Sequence, residues 1–231
     1  KIWEQCVGCG WKLGVAAPWH GSTKLELDMR TEISRQIYVS GCYEPNEFYW
    51  LSQMLQPGMT FLDAGANGGL YTVFAAARVG NTGRVIAVEP SARDYLALQR
   101  TIDINGFDWV TARQVALGER PDTGQLRVAT TERSGLNSLS DFGYSDAPLE
   151  RMEDVPVTTA DALVAELDLE RLDVMKIDIE GSETAMLRGA RETIARFRPW
   201  MLVEASERSL VQFGSSVAEL AELVRSFGYE L

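Results

Sequence analysis

FLDAGANGGLYTVF, residues 61–74, joins a buried-looking strand to an apolar helix through one acid and a cluster of small residues. Such a junction suits a nucleotide-like ligand, but its small residues exclude two familiar phosphate loops. The P-loop requires a lysine directly after its second glycine, and none stands here. The dinucleotide loop G-x-G-x-x-G uses its second glycine to let a pyrophosphate approach the backbone. Here Gly65 is followed two positions later by Asn67, whose side chain would obstruct a pyrophosphate, and Asp63 would repel one.

The pattern around this junction is regular. TFLDAG (60–65), RVIAVEP (84–90), WVTARQVAL (109–117), DVMKIDIEG (173–181) and WMLVEA (200–205) read as strands. Helices are predicted over 69–80, 92–105, 159–167, 182–195 and 215–227, with Ser91 as a cap and Asn105-Gly106 as a stop. Strands alternating with helices of this length imply βαβ units and a mostly parallel sheet, an α/β chain. The run 118–158 breaks the rhythm: QLRVAT reads as an extra strand and SGLNSLSDFGYSDAP as a loop. Residues 1–57 have no clean period, with short helices expected at 31–38 and 45–55. The expected organisation is a lead-in or cap over 1–57 and one ligand-binding domain over 58–231.

S-adenosylmethionine carries no phosphate, and its methionine end bears an ammonium and a sulfonium. An acid beside a tight glycine turn suits it. Glu89, ending the next strand, is positioned to accept hydrogen bonds from a ribose diol, a role shared with dinucleotide sites. Asn67 tolerates the left-handed backbone that such a turn needs. Glu44 (with Tyr43), Tyr71 and Thr72 are candidates to line the methionine end.

DAGANGGLYT, VEP, KIDIEGSE and MLVEA together resemble the FkbM-type methyltransferases over about residues 40–205, with GCYEPNEF as a lead-in. The resemblance implies a Rossmann-like class I methyltransferase fold with helices on both faces of the sheet. It also implies S-adenosylmethionine as donor and a hydroxyl acceptor on a sugar, polyketide or similar metabolite, hence a role in natural product biosynthesis. By the resemblance, Asp63, Gly65, Asn67, Gly69, Glu89 and Pro90 fall in the cofactor site, and Ala116 and Leu117 near the adenine. Ala66 and Ser91 are grouped with them. Ala64 and Gly68 depart mildly from the family pattern, and residues 1–39 lie outside the match.

Lys176, Asp178 and Glu180 alternate onto one side of a strand that should be central. Ligands bind at the carboxyl ends of such strands. Asp178 is therefore a candidate for the general base, or for a ligand of Mg²⁺ or another divalent cation, and it counts among the cofactor-site residues as well. Glu180 and Glu204 would complete a carboxylate cluster able to act as base or metal site. A Lys–Asp–Glu network that only anchors the next helix is the structural alternative. His20, the sole histidine, becomes a base only if it folds over the site. Ser134, Asn137 and Ser138, with Arg133 and Tyr144, are candidates to contact the acceptor from a closing loop, and Glu204 is a further acceptor-contact candidate. Cys6-x-x-Cys9 with Cys42 and His20 has the residue types of a zinc site but only one tight pair.

Composition narrows the remaining classes. The 231 residues are 45% apolar, enough for one sizeable core. With 22 basic and 33 acidic side chains the net charge is −11, which disfavours nucleic acid or an anionic membrane as partner. No apolar run approaches a membrane span. Three cysteines and no visible signal peptide read as a reduced, cytoplasmic chain. The opening Lys1 leaves room for a domain of something longer, including a non-catalytic cofactor-binding module. The expected partner is a small hydroxyl-bearing molecule, with N-methylation on the same scaffold as the nearest variant.

Overall fold

The computed structural model describes residues 14–141 and 148–231. Its centre is a sheet of five parallel strands: β3 (Thr60–Ala64), β4 (Arg84–Val88), β5 (Val110–Arg113), β9 (Val174–Ile177) and β10 (Trp200–Val203), in the spatial order β10-β9-β3-β4-β5. The order reverses beside β3, whose neighbours are β4 on one side and β9 on the other. In open α/β sheets the crevice outside the strand ends at such a reversal is where ligands bind. This is the Rossmann-like arrangement that the resemblance implies.

Period-two alternation sends successive side chains to opposite faces. Phe61, Val85 and Val174 pack on one face with Phe48, Leu51 and Phe74. Leu62, Ile86 and Met175 pack on the other with Leu163, Leu187 and Val224. The first face carries α2 (Pro45–Met54) and α3 (Leu70–Val79); the second carries α5 (Ala160–Glu166), α6 (Glu183–Arg188) and α9 (Val217–Ser226). α4 (Ala92–Asn105) lies against β5 and seats Leu98 on Ala87.

Local chemistry sets the helix ends. Ser91 accepts from the Asp94 N–H to open α4, and left-handed Gly106 closes it. Ser216 accepts from the Glu219 N–H to open α9. The single helix expected at 182–195 is two, α6 and α7 (Arg191–Phe197). A Cβ on Gly189 would stand 2.2 Å from the Gly118 carbonyl, so the backbones meet there. The Asp161 carboxylate then takes the free N–H groups of Glu192 and Thr193 at the start of α7.

Two hairpin-like units depart from the expected elements. β1 (Gly14–Trp19) and β2 (Thr23–Asp28) pair antiparallel within the lead-in, and Trp19, Leu25 and Leu27 join the core of the first face. α1 (Glu32–Ser40) follows. The strand expected at 109–117 breaks in two: β5 stays on the central sheet, while β6 (Ala116–Leu117) pairs with β8 (Leu149–Thr158). β8 also pairs antiparallel with β7 (Asp122–Ala129), which takes in all of the expected QLRVAT strand but Thr130. Between them Thr131–Leu136 winds as a 3₁₀ turn. A short helix, α8 (Glu207–Gln212), was not foreseen. Among the described residues no helix is long and apolar enough to cross a membrane.

Candidate active site

A cleft of about 920 Å³ opens at the carboxyl ends of β3, β4 and β9. Its floor at one end is the loop Gly65–Gly69. Gly65 has φ +80°, and a Cβ there would lie 1.8 Å from the Asp178 carbonyl. That glycine admits the neighbouring strand as much as a ligand. Gly69 also has positive φ and would press a Cβ on Leu98 at 3.0 Å, whereas Gly68 opens onto free space. Asn67 takes the left-handed conformation expected of it, with φ 47°.

Glu89 lies beneath this loop, buried, and lines the cleft. Its two oxygens accept the N–H groups of Asn67 at 2.8 Å and Ser91 at 2.9 Å. A carboxylate has about four acceptor positions, so two remain for a ligand diol. Burial, followed by the Asp94 charge, pushes Glu89 up to about 8, against the pull of those two donors. Ala66, Pro90, Ala116 and Leu117 line the same half of the cleft.

Three expected site residues sit deeper than the sequence suggested. Asp63 is fully buried and does not border the cleft; it accepts from the Thr72 hydroxyl at 2.6 Å and lies 3.8 Å from the Lys176 ammonium. Thr72 is spent on that bond. Ser91 is enclosed as the cap of α4. Asp63 therefore acts on any ligand through the parts it braces, not by touching it.

The other half of the cleft is built of carboxylates. Lys176 stands opposite Asp63 in register, buried, with its ammonium 3.0 Å from Asp178 and 3.0 Å from the Gly65 carbonyl. It also lies 4.9 Å from the centre of the Tyr71 ring. Burial disfavours this ammonium, but Asp178 and Asp63 outweigh it and hold the pKa above the usual lysine value. Tyr71 donates its hydroxyl to Glu44, another cleft residue, which burial drives upward in pKa. The anchoring network and the candidate site are thus one structure, with Lys176 as its hub.

Asp178, Glu180 and Glu204 offer oxygens that all lie within 4.8 Å of one another. Burial, reinforced by Asp178, pushes Glu180 up to about 8, and the same causes push Glu204 up to about 9. Glu180 has φ 52°, a strained position for a residue with a Cβ. Glu183 maintains it: one carboxylate oxygen accepts from both Ile179 N–H at 3.0 Å and Gly181 N–H at 3.1 Å. Sequence reasoning missed Glu183, although E-G-S-E, with an acid two residues after a glycine, was its signal.

Ser134 and Asn137 border the cleft. Ser138 does not; its hydroxyl donates to the Glu180 carbonyl at 3.0 Å. Arg133 pairs with Glu32 of α1. His20 is not brought to the cleft. It sits in the β1–β2 turn with its ring 4.4 Å from Trp19 and 5.4 Å from Phe74, and burial lowers its pKa. The hairpin brings Leu25, Glu26, Leu27 and Asp28 to the cleft wall, but its turn holds His20 away from the cleft, beside Phe74 and Arg78, so the expectation of a histidine base is corrected. Cys42 is a free thiol; Cys6, Cys9 and Tyr144 lie outside the described residues.

The sequence model of the methyltransferase FkbM domain matches residues 63–231. This chain belongs to the FkbM methyltransferase family. Its FkbM domain thus spans the glycine loop, Glu89 and the carboxylate cluster alike. Methyltransferase 1 of Beauveria bassiana is 23% identical over 90% of this chain and 83% of its own length. The AMB antimetabolite synthetase AmbE of Pseudomonas aeruginosa is 24% identical over 92% of this chain, which spans 11% of that protein. A crystal structure of methyltransferase FkbM from Methylobacillus flagellatus aligns at 18% identity with a TM-score of 0.48, covering 79% of this chain and 44% of that one.

Proposed function

We propose that this FkbM-family protein transfers a methyl group from S-adenosylmethionine to a hydroxyl of a small metabolite. The observation that carries the reading is the charge layout of the cleft. Glu44, Glu89, Asp178, Glu180 and Glu204 border it at the strand ends, and the one ammonium among them, Lys176, is engaged by Asp178 and the Gly65 carbonyl. The arginines that also line it, Arg30, Arg93, Arg100 and Arg133, are each paired with a carboxylate, so even with Glu180 and Glu204 protonated the cleft favours a ligand with an ammonium and a sulfonium over a pyrophosphate.

The donor fits the residues present. Gly68 leaves room against the loop, and Glu89 keeps two acceptor positions for a ribose. Ala116 and Leu117 offer an apolar wall for the base. When bound, S-adenosylmethionine supplies an electrophilic methyl. The protein's part is to hold that methyl in line with the acceptor and to receive the acceptor's proton. Asp178, on the rim and paired with Lys176, is the proposed proton acceptor. Glu180 and Glu204, both pushed toward the protonated form, would donate hydrogen bonds and orient the acceptor. The same three carboxylates have the spacing for Mg²⁺, which would lower a hydroxyl's pKa if held there.

The similarity to part of an antimetabolite synthetase supports a specialised-metabolite acceptor and a place for this chain within a larger protein. The carboxylate surplus would also seat an amine, which makes N-methylation the second reading. The test is incubation with methyl-tritiated S-adenosylmethionine and a panel of hydroxyl- and amine-bearing small molecules. Label in hydroxyl acceptors supports the proposal. Label confined to amines replaces it with N-methylation. No transfer to any member, with the donor bound, favours the non-catalytic module.

A further inference from the structure

Asn67 stands where a dinucleotide loop would have glycine, and its side chain turns out to have work of its own. Its backbone N–H donates to Glu89 Oε2 at 2.8 Å. Its Oδ1 accepts from the Gly68 N–H at 2.6 Å, which locks the side chain against the loop. Its Nδ2 then reaches across the cleft and donates to the Ser134 carbonyl at 3.1 Å. Ser134 is 6% exposed and belongs to the 3₁₀ turn Thr131–Leu136.

That turn lines the cleft and, set against the glycine loop by this bond, is taken as the roof of the acceptor half. Its outer tie is the Arg133–Glu32 ion pair, which is exposed on both sides and so weakly held. Asn137, just beyond, secures the far end by accepting from Ala129 N–H at 3.0 Å and donating to Asp94 at 2.6 Å. The bond from Asn67 is the inner tie, partly buried, where leaving the Ser134 carbonyl unmet is unfavourable.

We infer that Asn67 is a positioning residue that joins the donor loop to the roof of the acceptor half, so that a donor on Glu89 steadies residues 131–137 before the acceptor arrives. The path is short and continuous: Glu89 oxygen, Asn67 backbone, Asn67 amide, Ser134 carbonyl. The left-handed backbone favours Gly, Asn or Asp at position 67, and of these Asn alone can donate to the roof. The coupling rests on the donor-site reading above; the tie itself does not.

The experiment is hydrogen exchange by mass spectrometry on wild type, Asn67→Gly and Asn67→Asp, free and with S-adenosylhomocysteine. Gly keeps the backbone conformation without a side chain; Asp keeps the acceptor toward Gly68 but has no proton for Ser134. In the free protein both variants should exchange the amides of 131–137 about tenfold faster than wild type, the factor expected from one buried hydrogen bond. Amides of β4 and α4 should be unchanged. With S-adenosylhomocysteine, wild type should slow exchange over 131–137 about tenfold further, and saturated Asn67→Gly less than about twofold. Unaltered exchange of 131–137 in both free variants would overturn the tie. Equal slowing by ligand in wild type and Asn67→Gly would overturn the coupling. Wild type that binds no S-adenosylhomocysteine would defeat the donor reading and with it the coupling, and leave the free-protein comparison to decide the tie.

Discussion

The two ends of the cleft are made of different material. At β3 and β4 the walls are backbone and small residues: Gly65 and Gly69 at positive φ, open Gly68, and a carboxylate whose hydrogen bonds are to N–H groups next to it in the chain or one strand away. At β9 and β10 the walls are long acidic side chains drawn from Asp178, Glu180 and Glu204, braced by Lys176 and Glu183 from other positions. The first end is rigid and shape-determined. The second is electrostatically loaded, with acids held close enough to resist joint ionisation. A donor common to many reactions suits the first, and proton handling suits the second.

The sharpest way to break the shape-determined end is Gly65→Ala. The new Cβ would be driven into the Asp178 carbonyl, and φ +80° would be strained as well. A loss of about 4 kcal/mol or more is expected, lowering Tm by about 10 °C or more, as calorimetry would show. An unchanged Tm would mean that β3 and β9 do not approach this closely.

At the loaded end, Asp178→Asn should separate binding from chemistry. Turnover of a true acceptor is expected to fall about 100-fold or more, with S-adenosylhomocysteine affinity within about tenfold of wild type. Turnover at the wild-type rate would remove Asp178 as base. Glu89→Gln should do the reverse and weaken S-adenosylhomocysteine about tenfold, because the amide has one acceptor oxygen where the carboxylate has two. Affinity equal to wild type would take the ribose off Glu89.

The smallest effect is a pH dependence. Glu204, with a folded pKa near 9 against an ordinary 4.5, is best accommodated protonated. The stability it lends is complete below about pH 4.5 and is lost as pH rises through its folded pKa. Glu204→Gln stays neutral throughout. Its Tm relative to wild type should therefore climb by a few degrees between about pH 6 and 9, in the presence of EDTA. A flat difference would show that Glu204 titrates as in solvent.

The same contrast explains what the sequence disclosed. The glycine loop, Glu89 and the five central strands were legible because each is specified within a short window, by β-strand hydrophobicity and turn residues. Asp63 was legible as important but not in its role: a motif gives position, and only packing shows that Thr72 and Lys176 enclose its carboxyl. The β1–β2 hairpin was hidden because β1 carries Pro18 and buries only Trp19, leaving little hydrophobic signal. β8 was hidden because four of its ten residues are charged and only Val155 is buried, leaving little hydrophobic signal. His20 illustrates the limit: whether a lone histidine meets a site depends on where its hairpin docks, which no local pattern states.

The central claim is that the loop Gly65–Gly69 with Glu89 holds S-adenosylmethionine and not a phosphate-bearing nucleotide. Calorimetric titration with S-adenosylhomocysteine, run beside NAD in the same buffer, tests it directly. The account predicts binding at about 10 μM or tighter for the first and none for the second. NAD binding without S-adenosylhomocysteine binding would contradict it.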